Sequence, residues 1–262
     1  LVPQARQGPF VFHGGLPEAC AKAAKLGFDA VEIFPAAASA VDIAELQGLL
    51  DHHELKLAAM GTGGGWLVHQ WTLTHADRTV RGHARAFIAA IVDLAGGFGA
   101  PAIVGSMQGR FAGDVTREQA LTWLAEALGD LSDEAASHGQ ALLYEPLNGY
   151  ETNLFHRVAD AAAWLLAEGL ENVRLLCDFF HMNIEEADIA RALREGGPVI
   201  GHVHFADSNR RAVGYGHIEM RPVIEALQAV GYDGYLSAEI LPLPDSDGAA
   251  RQSMESFRRW VK

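Results

Sequence analysis

Four side chains of metal-binding type each close or flank a short apolar run in the second half of the chain. They are Glu145 ending Ala-Leu-Leu-Tyr-Glu, Asp178 ending Val-Arg-Leu-Leu-Cys-Asp, His204 in Val-Ile-Gly-His-Val-His, and Glu239 in Tyr-Leu-Ser-Ala-Glu. Three carboxylates and an imidazole suit one divalent ion: Mn2+ first, with Mg2+, Co2+ or Zn2+ accommodated by the same donors. A lone acidic residue at a strand end is more often a cap or a salt-bridge partner. Four on separate runs, all of ligand type, are a different matter, provided one fold brings them together.

The elements that must do so alternate. Short apolar runs at 30–34, 55–60, 101–105, 141–145, 173–178, 199–205 and 235–240 read as buried strands, and helical patterns separate them. Those patterns cover Leu16–Leu26, Asp42–His53, 77–94, Thr116–His138, His156–Glu168, 184–194, Met220–Val230 and Asp247–Val261. A first strand must come from Pro-Phe-Val-Phe-His (9–13) or from Leu-Val-Pro at the start. Eight strand–helix units in about 250 residues predict an α/β fold, a (β/α)8 TIM barrel formed as one domain over 1–262. No Gly-x-Gly-x-x-Gly supports an open dinucleotide-binding sheet, and Gly-Thr-Gly-Gly-Gly (61–65) lacks the Lys-Ser/Thr of a phosphate loop. Alternate strand residues share a face, so Leu143 with Glu145 and Leu176 with Asp178 point inward together. The ligand set then converges at the C-terminal face, where TIM-barrel chemistry sits.

Bulk properties narrow the partners. Twenty Lys and Arg against 33 Asp and Glu leave a formal charge of −13, which argues against a nucleic-acid substrate. No apolar run approaches the roughly 20 residues of a membrane helix, and the start has no signal-peptide pattern. Cys20 and Cys177 form no disulfide or metal pattern. A cytoplasmic protein acting on a small molecule, as a homo-oligomer (dimer or tetramer), is expected.

Around the ligands lie Glu-Pro-Leu-Asn-Xaa-Tyr-Glu (145–151), Asp-Xaa-Phe-His-Met-Asn-Ile-Glu-Glu (178–186), His-Xaa-Ala-Asp-Ser-Asn-Arg (204–210) with Gly-Tyr-Gly-His (214–217), and Ser-Xaa-Glu (237–239). These motifs resemble the sugar isomerase/epimerase TIM-barrel superfamily (xylose isomerase-like). Within it they most resemble the ketose 3-epimerases: the D-tagatose and D-psicose 3-epimerases and the 5-keto-L-gluconate epimerase type. The resemblance spans the chain, including Gly-Thr-Gly (61–63) and Leu-Thr-His (73–75), and departs from the family at the N-terminus, at 35–41 and at 66–71. It implies Glu145, Asp178, His204 and Glu239 as metal ligands, Glu145 and Glu239 also as the acid/base pair, and His181, Arg210 and Glu151 as contacts to the sugar.

Independent chemistry agrees with the carry-over. Epimerising a carbon beside a ketone removes a proton from one face and returns it to the other, so two bases must flank the substrate. Counting a first strand, Glu145 ends the fifth and Glu239 the eighth. The expected activity is therefore a metal-dependent epimerase of a ketose or keto-sugar acid, working through a cis-enediolate. An aldose–ketose isomerase on the same barrel is the alternative. An inosose dehydratase-type lyase and an endonuclease IV-like nuclease are more distant, and the charge speaks against the latter. Arg110, just past the fourth strand, is expected to hold a substrate carboxylate. His202 is expected one layer below His204, and Asp207 as a loop hydrogen-bonder. Trp66, Trp71, Phe10 and Phe12 are candidate pocket walls, more readily explained as core.

Overall fold

A computed structural model describes residues 8–261. Seven parallel strands follow one another in sheet order: β1 (Ala30–Ile33), β2 (Lys56–Gly61), β3 (Ala102–Val104), β4 (Leu142–Tyr144), β5 (Val173–Asp178), β6 (Ile200–His204) and β7 (Leu236–Ser237). Sequential parallel neighbours joined by helices curl into a nearly closed TIM barrel. Among the described residues β7 and β1 do not pair. Residues 9–13 are irregular rather than a strand, because Pro9 and the bends around it break the pattern; the other candidate, Leu-Val-Pro, lies outside the described residues.

Ten α-helices surround the sheet among those residues: α1 (Leu16–Leu26), α2 (Ile43–His53), α3 (Gly64–His69), α4 (Arg78–Gly97), α5 (Arg117–Ser137), α6 (Val158–Ala167), α7 (Phe179–Glu185), α8 (Ile189–Gly196), α9 (Met220–Ala229) and α10 (Ser246–Trp260). Their starts follow the capping chemistry of the sequence. Asp42, Asp77, Thr116, Asp188 and Asp245 each accept a backbone N–H of the first turn. On α5 the helical spacing of Ala120, Leu124, Ala127, Leu128 and Leu131 turns one face fully into the core. The expected helix over 184–194 is instead two helices, α7 and α8, broken around Glu186–Asp188. The short α3, which follows the glycine run, was not anticipated.

Three apolar clusters result among the described residues. The largest fills the space between strands and helices, and a small one is formed by Ala206, Ala212, Ile240 and Ala249. The third is the barrel interior, where Ala59, Ile103, Leu143 and Leu176 pack against one another and against Phe34. Leu143 and Leu176 therefore do face inward, two positions before Glu145 and Asp178. That parity lifts the next inward side chains of β4 and β5 to the C-terminal rim.

Candidate active site at the C-terminal rim

Donor atoms of Glu145, Asp178, His204 and Glu239 all lie within 4.8 Å of one another. His204 Nδ1 stands 3.8 Å from Glu145 Oε1, 3.6 Å from Asp178 Oδ2 and 3.7 Å from Glu239 Oε2. Glu145 Oε1, Asp178 Oδ2 and His204 Nδ1 are buried and have no hydrogen-bond partner. Leaving such atoms unpaired costs on the order of 1–3 kcal/mol each, more when charged. Unpaired polar atoms of ligand type that converge on one point are what a divalent cation satisfies as it displaces their protons, so the residues fit the expected ion.

The side chains differ in what else they bond. Asp178 spends its other oxygen on the Phe180 N–H at 2.8 Å, capping α7. Glu239 Oε2 accepts from Arg210 Nη2 at 2.5 Å. Gly105 stands opposite Glu145, where a Cβ would come within 2.5 Å of Oε2. Only glycine leaves that carboxylate its position.

Electrostatics follows from this crowding. Burial, reinforced by Glu239 and Asp178, pushes the Glu145 carboxyl well above the usual range, against the pull of His204 and Arg210. Burial alone would also raise Asp178, but His181 and His204 hold it down at about 2. For His204 burial favours the neutral ring, yet Glu32 and Glu239 outweigh it and raise its pKa well above 6.5.

His181 is buried, and its Nδ1 accepts the Asn148 N–H at 3.3 Å, with the Asn148 side-chain amide 2.7 Å away. With Nδ1 an acceptor, the hydrogen sits on Nε2, which faces Glu145 Oε1 at 3.8 Å and Asp178 Oδ2 at 3.7 Å. Asn148 also donates to Glu151 Oε1 at 3.2 Å. Arg210 lies 3.7 Å from Glu151 and stacks over the Phe180 ring at 4.8 Å. Its φ of 58° is left-handed, a strained position for a non-glycine residue. Asp207 organises the loop that holds it there: its carboxylate accepts the N–H groups of Ser208, Gly214 and Ile218.

The small pocket bounded by these groups has a volume of about 60 Å3 and shares its rim with Phe34, Thr62, Gly63, Ile103, Ser106 and Leu147. Glu151, His181 and Arg210 thus meet the four-residue cluster, as expected. Arg110 does not. Its side chain is exposed and absent from the pocket, since the loop after β3 turns through Gly109 (φ 81°) and carries it outward. The carboxylate-holding role expected of it is withdrawn. Trp66 is exposed, Trp71 packs on the core, and Phe10 and Phe12 line a larger cavity of about 390 Å3 between β1 and β7, which meets the small pocket at Phe34 and Glu239.

His202 does lie below His204, in register with Leu176. Its partner was missed. Glu32, inside the apolar run 30–34, accepts from His202 Nε2 at 2.8 Å and lies 3.1 Å from His204 Nε2. Burial would raise the Glu32 carboxyl, but His204 and His202 hold it well below the usual carboxylate range. A charge within an otherwise apolar strand was the available signal. Asn148, inside Glu-Pro-Leu-Asn, is a second missed residue, bridging His181 and Glu151.

A family model described as xylose isomerase-like TIM barrel matches residues 20–260. The chain is 36% identical over 116 residues to a 3-dehydro-D-guloside 4-epimerase from Escherichia coli, an alignment spanning 44% of each protein. It is 30% identical over 227 residues to a D-psicose 3-epimerase from Ruminiclostridium cellulolyticum, covering 83% of this chain and 75% of that one. The crystal structure of a D-allulose 3-epimerase from Methylomonas sp. superposes with a TM-score of 0.85 at 24% identity, over 97% of this chain and 96% of that one. Barrel topology and a family match reaching from α1 to α10 agree: the chain belongs to the xylose isomerase-like TIM barrel family.

Proposed function

We propose that this protein is a divalent-metal-dependent epimerase of a ketose or keto-sugar acid, inverting the carbon next to the ketone. The observation that carries the reading is the set of unpaired buried polar atoms, Glu145 Oε1, Asp178 Oδ2 and His204 Nδ1, converging beside Glu239. Relatives named as ketose 3-epimerases and a 4-epimerase support the reaction class. When bound by Glu145, Asp178, His204 and Glu239, the ion, Mn2+ in the first instance, supplies Lewis-acid stabilisation of the charge that develops on the substrate oxygens.

The remaining chemistry belongs to the side chains. Glu145 follows β4 and Glu239 follows β7, so the two carboxylates approach a substrate from different sides of the rim. One removes the proton from the carbon beside the carbonyl, and the other, protonated, returns a proton to the opposite face. Arg210 fixes the Glu239 carboxylate and keeps a positive charge beside the developing enediolate. His181 presents Nε2–H as a hydrogen-bond donor, and Glu151 is placed to orient a hydroxyl. Leu147 and Phe34 add apolar surface to the pocket.

A panel of ketoses and keto-sugar acids, incubated with Mn2+ in D2O and analysed by NMR after metal removal, tests the proposal. Inversion with deuterium at the inverted carbon is expected. Migration of the carbonyl to the neighbouring carbon would replace this reading with the aldose–ketose isomerase.

A further inference from the structure

The barrel interior beneath the rim is aliphatic except in one place. Ala59, Ile103, Leu143 and Leu176 form its apolar layer, whereas Glu32 is in register with Ala59 and His202 with Leu176. A carboxylate and an imidazole set into such a layer cost free energy unless they are hydrogen-bonded. Here they bond to each other. One Glu32 oxygen lies 2.8 Å from His202 Nε2, which also contacts Ser237 Oγ at 3.0 Å, and the other oxygen lies 3.1 Å from His204 Nε2. The β1–β2 register slips between Val31 and Glu32, an irregularity of the kind that re-aims a side chain. Glu32 does not border the small pocket and has no part in the proton transfers proposed above.

We infer that Glu32 is a positioning residue for metal binding: by accepting the Nε2–H of His204 it fixes that ring's tautomer and leaves the Nδ1 lone pair aimed between Glu145, Asp178 and Glu239. The inference rests on the metal-site reading above. A neutral imidazole carries one hydrogen, and an ionised carboxylate at Nε2 can only accept it. Metal binding requires the neutral ring, and without Glu32 its one remaining hydrogen could settle on Nδ1, which faces three carboxyl groups at 3.6–3.8 Å. The acids that make the site would then block its imidazole. His202 completes the clamp by holding the second Glu32 oxygen, so the carboxylate cannot turn away from His204.

Calorimetric titration of the metal-free protein with Mn2+ tests this in four forms: wild type, Glu32→Gln, His204→Ala and the double variant, each checked for folding by circular dichroism. Supporting partners of metal-bound histidines typically contribute about 10–100-fold to affinity, and a loss of that size is expected for Glu32→Gln. Because Glu32 acts through His204, the double variant should bind within about threefold of His204→Ala. Equal binding by Glu32→Gln and wild type, or losses that simply multiply, would overturn the inference while leaving the metal site intact. So would two ions per wild-type chain, with one lost in Glu32→Gln, since that would make Glu32, His202 and His204 a second metal centre. A wild type that binds no divalent ion overturns this inference and the metal-site reading together. Should Glu32→Gln fail to fold, 15N spectra of histidine-labelled wild type with Mg2+ bound decide the point. Hydrogen on His204 Nε2 supports it, and hydrogen on Nδ1 refutes it.

Discussion

The two sides of the barrel contribute to the pocket in different currencies. β4 to β7 and their loops bring charge: Glu145, Glu151, His181, Arg210 and Glu239 line it, with Asp178 and His204 beneath. β1 to β3 bring shape: Phe34, Thr62, Gly63, Ile103, Gly105 and Ser106. On the charged side several groups are tied down by a second one, as Arg210 by Asp207's loop, Glu239 by Arg210 and His181 by Asn148. On the other side an aromatic ring, hydroxyls and missing Cβ atoms set how much room remains. Under the proposed function, charge and shape thus come mainly from different strands, and substitutions on the two sides should fail in different ways.

The largest effect should come from the charged side. Glu145→Gln or Glu239→Gln, assayed at saturating metal, should lower epimerisation by about 10²–10⁴-fold, the usual contribution of a positioned acid or base. Either variant can still exchange one substrate proton with D2O through the surviving carboxylate. Full activity in either variant removes that residue from the proton-transfer pair.

Gly105→Ala probes the line between the two sides. The added Cβ would sit 2.5 Å from Glu145 Oε2 and push the carboxylate aside. A turnover loss of about 10–100-fold is expected with the fold retained, because displacing a catalytic group by about 1 Å is that costly. If turnover is unchanged while only substrate preference moves, Gly105 belongs to the shape-giving side alone.

Titration sharpens the contrast further. The raised His204 pKa means its contribution to metal-free stability is complete below 6.5 and is lost as pH climbs through the raised value. The raised Glu145 carboxyl acts likewise, with its stabilisation fading above 4.5. Asp178, held near 2, opposes this only in strong acid, where its contribution disappears. Metal-free Tm should therefore fall from about pH 5 to pH 9, and a divalent ion should restore it with release of protons, since ligands bind deprotonated. Thermal scans across pH, together with calorimetry in buffers of different ionisation enthalpy, measure both. A flat Tm profile without proton release contradicts the assigned cluster.

The smallest effect is predicted for Arg110→Ala. An exposed side chain away from the pocket should change stability and substrate binding by less than about 0.5 kcal/mol, for acidic and neutral sugars alike. A selective loss for keto-sugar acids, seen in KM, would return Arg110 to the site.

The order of strands, most helices and the residues of the rim were legible in the chain, because each rests on a local signal: an apolar run of strand length, a 3.6-residue periodicity, a capping Asp or Thr, an acid or imidazole where a run ends. β7 was legible as a strand only in outline, since just Leu236 and Ser237 pair. Glu32 escaped because its partners, His202 and His204, lie far off in sequence and no local pattern signals a bond between them. Arg110 was misplaced for the same reason in reverse. Its proximity to a strand end is a sequence property, whereas the direction of its side chain depends on the turn at Gly109.

By itself the amino-acid sequence determined the barrel and the identity of the four candidate ligands, since period, length and residue type are carried along the chain. Only the tertiary structure decided which nitrogen of His204 faces them, which oxygen of Asp178 is left over from its helix cap, and why position 105 must lack a Cβ. Those are matters of a few ångströms between side chains that meet across the barrel, and the energies that choose among them arise only once water has been excluded and each polar atom must find its own partner.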